Sequence, residues 1–201
     1  MLWRCWINAC NRWSVNGSRD FLVRITAGSL RGCKVTVPDF DGVRPTPAKV
    51  RQALFNILGP VQDCSILELF SGSGLMALEA LSRGAASVTS VEKNRRIVQH
   101  LKNVRSHLQL DENWQLICAD VQAVLPRFTG RHFDIVFADP PYNTGLGEQL
   151  PTWLDAAGVC CTILVVEQAA RTTPLWPTGW TQQQARRYGE TCLHFLAAEA
   201  L

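Results

Sequence analysis

Two hydrophobic rhythms run along this chain. Phe21-Leu22-Val23-Arg24-Ile25 and Lys34-Val35-Thr36-Val37 are rich in β-formers and flank Gly28-Ser29-Leu30-Arg31-Gly32, which predicts a hairpin. From Ala48 to Leu58 the period changes. Val50, Ala53, Leu54, Ile57 and Leu58 fall on one helical stripe, and Lys49, Arg51 and Gln52 fall off it. Gly59-Pro60 stops that helix.

Short apolar runs and amphipathic stretches then alternate. Strands are predicted at Ser65–Phe70, Ser87–Val91, Trp114–Cys118, Phe133–Ala138 and Thr162–Glu167. Helices are predicted at Leu75–Arg83, Arg95–Leu110 and Gly147–Ala157, with a short helical turn at Val121–Arg127. Arg186–Tyr188 and Thr191–Ala197 suggest a closing hairpin. Alternation at this pace means βαβ units on a mostly parallel sheet, an α/β fold of Rossmann-like type.

Composition changes little in this picture. The 201 residues are 47% hydrophobic and 18% charged, which excludes a disordered chain and suits a single domain with its own core. No apolar run approaches the roughly 18–20 residues of a membrane span. The eight cysteines include no C-x-x-C pair, and the four histidines are scattered, so neither a metal site nor a disulfide framework is expected. A reducing cytoplasm is the expected home. Residues 1–20, with Trp3, Trp6 and Trp13 among polar neighbours, lack the apolar core of a signal peptide. They read as an irregular arm or as an over-long translation start.

Charge adds an asymmetry. Residues 1–60 carry nine Lys/Arg against three acids, net +6, which leaves −3 for the rest of the +3 chain. A basic front suggests a polyanion, and a solvated basic surface is the plainer alternative. The candidate phosphate contacts are Arg24, Arg31, Arg44, Lys49 and Arg51.

The candidate chemistry sits where strands end. Glu68-Leu69-Phe70-Ser71-Gly72-Ser73-Gly74 is a strand running into a glycine turn and then a helix. Such a turn lets the backbone approach a ligand at the carboxyl end of a sheet. It is neither G-x-G-x-x-G nor a P-loop, and alone it could be a bare turn. The second strand delivers Glu92, suited to ribose hydroxyls, and the third delivers Asp120, suited to an adenine amine. Each acid alone could simply serve a helix N-terminus.

The fourth strand ends in Asp139-Pro140-Pro141-Tyr142. Two prolines stiffen the turn, so Asp139 and the Pro140 carbonyl form a rigid pair of acceptors with a flat ring beside them. An exocyclic base amine needs such a site. Two acceptors localise its delocalised lone pair, Asp139 takes the developing positive charge, and the Tyr142 ring holds the base. On this reading the ring face matters more than the hydroxyl.

Asp139–Tyr142 resembles the signature of S-adenosylmethionine-dependent amino-methyltransferases, and Leu67–Gly74 looks like their cofactor loop. Arg24–Gly32, Arg44-Pro45-Thr46 with Lys49-Val50-Arg51, Ala53–Leu58, Leu78–Ala85 and Arg187–Gly189 narrow the likeness to the RsmD-like family, bacterial 16S rRNA guanine-N2 methyltransferases. The similarity covers roughly residues 22–197. It implies a seven-stranded methyltransferase sheet with its last strand antiparallel and a small N-terminal β-hairpin extension. It implies S-adenosyl-L-methionine as cofactor, held by Glu68, Phe70, Gly72, Ser73, Gly74, Glu92, Asp120 and Val121. Catalysis would fall to Asp139, Pro140 and Tyr142. The implied partner is 16S rRNA or the assembling small ribosomal subunit, with no metal or membrane, and the chain is expected to act as a monomer. The regions would be an arm (1–20), an RNA-facing hairpin and helix (21–60) and a methyltransferase domain (61–201). Two rivals remain: a DNA adenine-N6 methyltransferase, for which 201 residues leave little recognition domain, and a basic RNA-binding protein without catalysis.

Overall fold

A computed structural model describes residues 20–39 and 45–199 of the chain. Almost all of the expected arm, and Arg44, lie outside these residues.

Strands β1 (Phe21–Arg24) and β2 (Lys34–Val37) form the expected hairpin, and helix α1 (Ala48–Leu58) follows. Then come β3 (Ser65–Leu69), α2 (Leu75–Ser82), β4 (Ser87–Glu92), α3 (Arg95–His107) and β5 (Trp114–Cys118). A short helix α4 (Val121–Val124) runs into a 3₁₀ turn at Leu125–Phe128. The chain closes with β6 (His132–Ala138), α5 (Leu146–Ala157), β7 (Cys160–Ala169), β8 (Trp180–Tyr188) and β9 (Thr191–Ala198). Strands β7 and β8 are longer than the predicted runs: β7 adds Cys160 and Cys161 at one end and buried Gln168 and Ala169 at the other, and β8 reaches back to buried Trp180 through a polar, largely solvent-facing stretch that carries no apolar pattern.

The seven-stranded sheet has the order β5-β4-β3-β6-β7-β9-β8. Strands β3 to β7 pair in parallel, and β9 runs antiparallel to both neighbours. The crossovers reverse direction between β3 and β6. That switch point opens a crevice at the carboxyl ends of the strands, where ligands bind in open α/β sheets. Leu67, Leu69, Val136, Leu164 and Val165 are fully buried, as expected for strands covered on both faces. Among the described residues no helix is long and apolar enough to cross a membrane.

A two-stranded hairpin is marginal by itself. This one is fastened to α2. Thr26 donates through its backbone N and its hydroxyl to the two Glu79 oxygens, at 2.8 and 2.9 Å. Ser29 N donates to the Ser82 carbonyl at 2.7 Å, and Leu30 N to Ser82 Oγ at 2.9 Å. Gly28, at φ +80°, comes so close that a Cβ would stand 1.7 Å from the Ser82 carbonyl oxygen, so no other residue fits there.

Arg51 is a correction. Its position off the apolar stripe predicted an exposed phosphate ligand, yet it is fully buried. Its Nε lies 3.2 Å from Glu79 Oε1, and its other nitrogens donate to the Thr46 and Arg24 carbonyls. Helix α1 is covered on two sides, by its apolar stripe and by the hairpin. Its buried set is therefore Val50, Arg51, Leu54 and Phe55. Arg24, Arg31 and Lys49 are exposed on the same hairpin and helix.

Candidate functional site

The first wall of the crevice is the turn after β3. Phe70, the last residue before it, sits at φ +57°, a backbone conformation rare for a bulky side chain. Gly74, at φ +68°, opens α2 as its N-cap with no side-chain cap. A Cβ there would lie 2.7 Å from Leu101 and 3.1 Å from Trp114. The turn is thus pressed onto the packing beneath it, with the amide-rich start of α2 facing the crevice. Ser71 Oγ is buried there without a hydrogen-bond partner.

Glu92, at the end of β4, holds this turn. Its Oε2 accepts from Gly72 N at 3.0 Å and its Oε1 from Asn94 N at 2.8 Å. A carboxylate has about four acceptor sites, so further lone pairs remain for ribose hydroxyls. Asp120 lies exposed at the end of β5. Its Oδ1 caps α4, accepting from Gln122 N at 3.0 Å and Ala123 N at 3.3 Å. The capping role weighed from sequence is real, and the second oxygen is left for a ligand. Ser73 is half-buried in the turn, and the Val121 side chain is in the core, so only its backbone could meet a cofactor.

Glu68 is a second correction. It does not reach the crevice, being 1% exposed beneath the turn. Its Oε1 accepts from Ala77 N at 3.2 Å, in the uncapped first turn of α2, and its Oε2 accepts from Ser90 Oγ. Ser90 Oγ in turn accepts from Trp114 Nε1 at 2.8 Å. Burial, outweighing these hydrogen bonds, pushes the Glu68 carboxyl up to about 7.

The second wall is the end of β6. Asp139 N donates to Leu69 O at 3.3 Å, which fastens the Asp139–Tyr142 turn directly beside the turn after β3. Pro140 is buried, and Tyr142 is 40% exposed. Burial, and then the charges of Glu167 and Glu68, hold the Asp139 carboxyl well above its ordinary range. The Tyr142 hydroxyl, given the lesser part in the sequence reading, is engaged. It donates to Glu167 Oε1 at 3.1 Å and lies 3.0 Å from Thr191 Oγ1. Burial raises the Tyr142 hydroxyl above its usual pKa.

Sequence reading missed Glu167. It had a usable signal: Glu167 is an acid near the end of a parallel strand, as Glu92, Asp120 and Asp139 are. The predicted strand even ends at Glu167, but no recognisable turn motif follows it, and its meeting with Tyr142 depends on the packing of β7 against β6. Among the described residues no cluster of three His, Cys, Asp or Glu side chains could hold a metal ion.

Residues 23–197 match the protein family described as "Conserved hypothetical protein 95". The chain belongs to this family. It is 34% identical over 189 residues to "Ribosomal RNA small subunit methyltransferase D" of Escherichia coli strain K12, covering 92% of this chain and 94% of that protein. The Haemophilus influenzae protein of the same name is 34% identical, over 83% of this chain and 89% of its own. Among solved structures, that of the Escherichia coli protein yhhF superposes with a TM-score of 0.77 at 32% identity, covering 90% of this chain and 100% of that one.

Proposed function

We propose that this chain is an S-adenosylmethionine-dependent methyltransferase that modifies the exocyclic N2 amine of a guanine in 16S rRNA. The observation that carries the reading is the meeting of two turns at one switch point. The turn anchored by Glu92 and the rigid Asp139–Tyr142 turn are joined by the bond from Asp139 N to Leu69 O. Relatives of nearly full-length overlap that are named small-subunit rRNA methyltransferases support the rRNA substrate. The exposed Arg24, Arg31 and Lys49 suit its phosphates.

The residues fit the cofactor. Glu92 has lone pairs to spare, and Ser71 Oγ is buried in the turn without a partner. When bound, S-adenosylmethionine supplies an electrophilic methyl on a sulfonium. Asp139 and the Pro140 carbonyl accept the amine hydrogens and aim its lone pair, and Tyr142 stacks on the base.

Mass spectrometry of rRNA nucleosides, from cells lacking the protein and from rRNA treated with it, tests this reading. N2-methylguanosine should vanish in the first and appear in the second. Asp139→Ala should lower turnover about 100–1000-fold, the scale for a group aimed at transition-state charge, with cofactor still bound. Near-normal turnover in that variant, or transfer only to adenine N6 in DNA, would overturn the proposal.

A further inference from the structure

Glu167 has no part in the chemistry described so far, yet its placement is unusual. It is 4% exposed on β7. The β6–β7 register pairs Ala138 with Val166, so the next position along the ladder sets Glu167 beside Asp139. One Glu167 oxygen takes the Tyr142 hydroxyl at 3.1 Å. The other, Oε2, is buried without a hydrogen-bond partner.

A bare carboxylate oxygen out of water is costly, and two such carboxylates side by side are costlier. A single proton on the pair removes both penalties. Glu167 Oε2, buried without a partner, is the oxygen open to it. Burial holds both carboxyls above their ordinary range; the charges of Glu167 and Glu68 add to it at Asp139, and hydrogen bonds from Tyr142 and Thr191 oppose it at Glu167.

We propose that Glu167 is a positioning residue for methyl transfer, which shares one proton with Asp139 and pins the Tyr142 ring beside the amine through its hydroxyl. This rests on the function proposed above. One Asp139 oxygen accepts the shared proton's hydrogen bond, and its other oxygen stays free for the substrate amine. The amine lone pair forms the N–C bond as the S–C bond breaks, its electron pair remaining on sulfur. The positive charge leaves the nitrogen as a proton taken by the free Asp139 oxygen. The pair then holds two protons, and half-exposed Asp139 returns one to solvent.

The test compares Glu167→Gln, Glu167→Ala and Tyr142→Phe. Glutamine mimics the protonated acid, keeping an acceptor for Tyr142 and a donor toward Asp139. Its kcat should fall no more than about threefold, and the alkaline limb of the pH–rate profile should disappear, because no proton can leave that position. Alanine should lower kcat about tenfold or more while cofactor affinity by calorimetry stays the same. Tyr142→Phe should raise KM for the rRNA about tenfold, with little loss in kcat.

An infrared titration of the ligand-free protein separates this idea from the reading beneath it. Wild type should show a protonated-carboxyl band near neutral pH that weakens in both Glu167→Gln and Asp139→Asn. That band would survive a failure to methylate rRNA. Band and pH profile unchanged in Glu167→Gln would overturn the shared proton, and wild-type kinetics in Tyr142→Phe would overturn the pin.

Discussion

Arg51→Met separates two opposed roles for one residue. Methionine keeps much of the stem volume and removes the guanidinium. Three charge-assisted bonds are lost, to Glu79, to the Thr46 carbonyl and to the Arg24 carbonyl. Breaking a buried ion pair from one side typically costs about 3–5 kcal/mol. Glu79 keeps both Thr26 bonds and the Arg83 guanidinium at 3.5 Å, so its charge is not stranded. The lower part of that range follows, about 3–4 kcal/mol. Total stabilities of domains are about 5–15 kcal/mol, so this is a large share. With a urea m-value of about 2 kcal/mol/M, the unfolding midpoint should fall by about 1.5–2 M. Hydrogen exchange should rise first at Thr26 and Gly32, whose amides depend on the docked hairpin. A phosphate ligand would behave differently. Its loss would leave stability alone and lower the salt dependence of RNA binding by about one unit. A stability loss under about 1 kcal/mol together with that smaller salt slope would refute the structural role.

Three more outcomes can be measured. Glu68 has its carboxyl raised from 4.5 to about 7, so between those values the folded chain holds a proton that the unfolded chain has lost. Stability therefore falls as pH rises through that window, with about 3 kcal/mol of the fall from Glu68, and Glu68→Gln should remove that share in denaturation curves from pH 4 to 8, leaving the part contributed by the raised Asp139 and Glu167 carboxyls. Glu92→Ala should weaken S-adenosylmethionine binding by about 1–3 kcal/mol in calorimetry, and unchanged affinity in a folded variant would remove Glu92 from the site. Binding of 16S rRNA should weaken steeply with salt, and neutralising Arg24, Arg31 or Lys49 should each lower the slope by about one unit in filter-binding assays.

The local features of this protein are written in its local sequence. The alternation of short apolar runs with amphipathic stretches determines the βαβ order, since each strand must be buried on both faces and each helix on one. Gly72 and Gly74 mark the turn after β3, and two prolines stiffen the turn after β6. Both are short-range constraints on backbone dihedrals, which is why neighbouring residues suffice to reveal them. Arg51, Glu68, Glu79 and Glu167 are different. Each is a charged residue whose exposure depends on a segment far away in the chain. Helical periodicity put Arg51 in solvent, because it sees one face of α1 and not the hairpin that covers the other. Glu68 passed for a cofactor ligand because its distance from the crevice is set by how α2 packs over β3. The hydroxyl of Tyr142 found Glu167 and Thr191, which are 25 and 49 residues away, only once β7 and β9 lay side by side. Strand ends thus announce where chemistry can occur, and only the packed sheet decides which buried charges meet there.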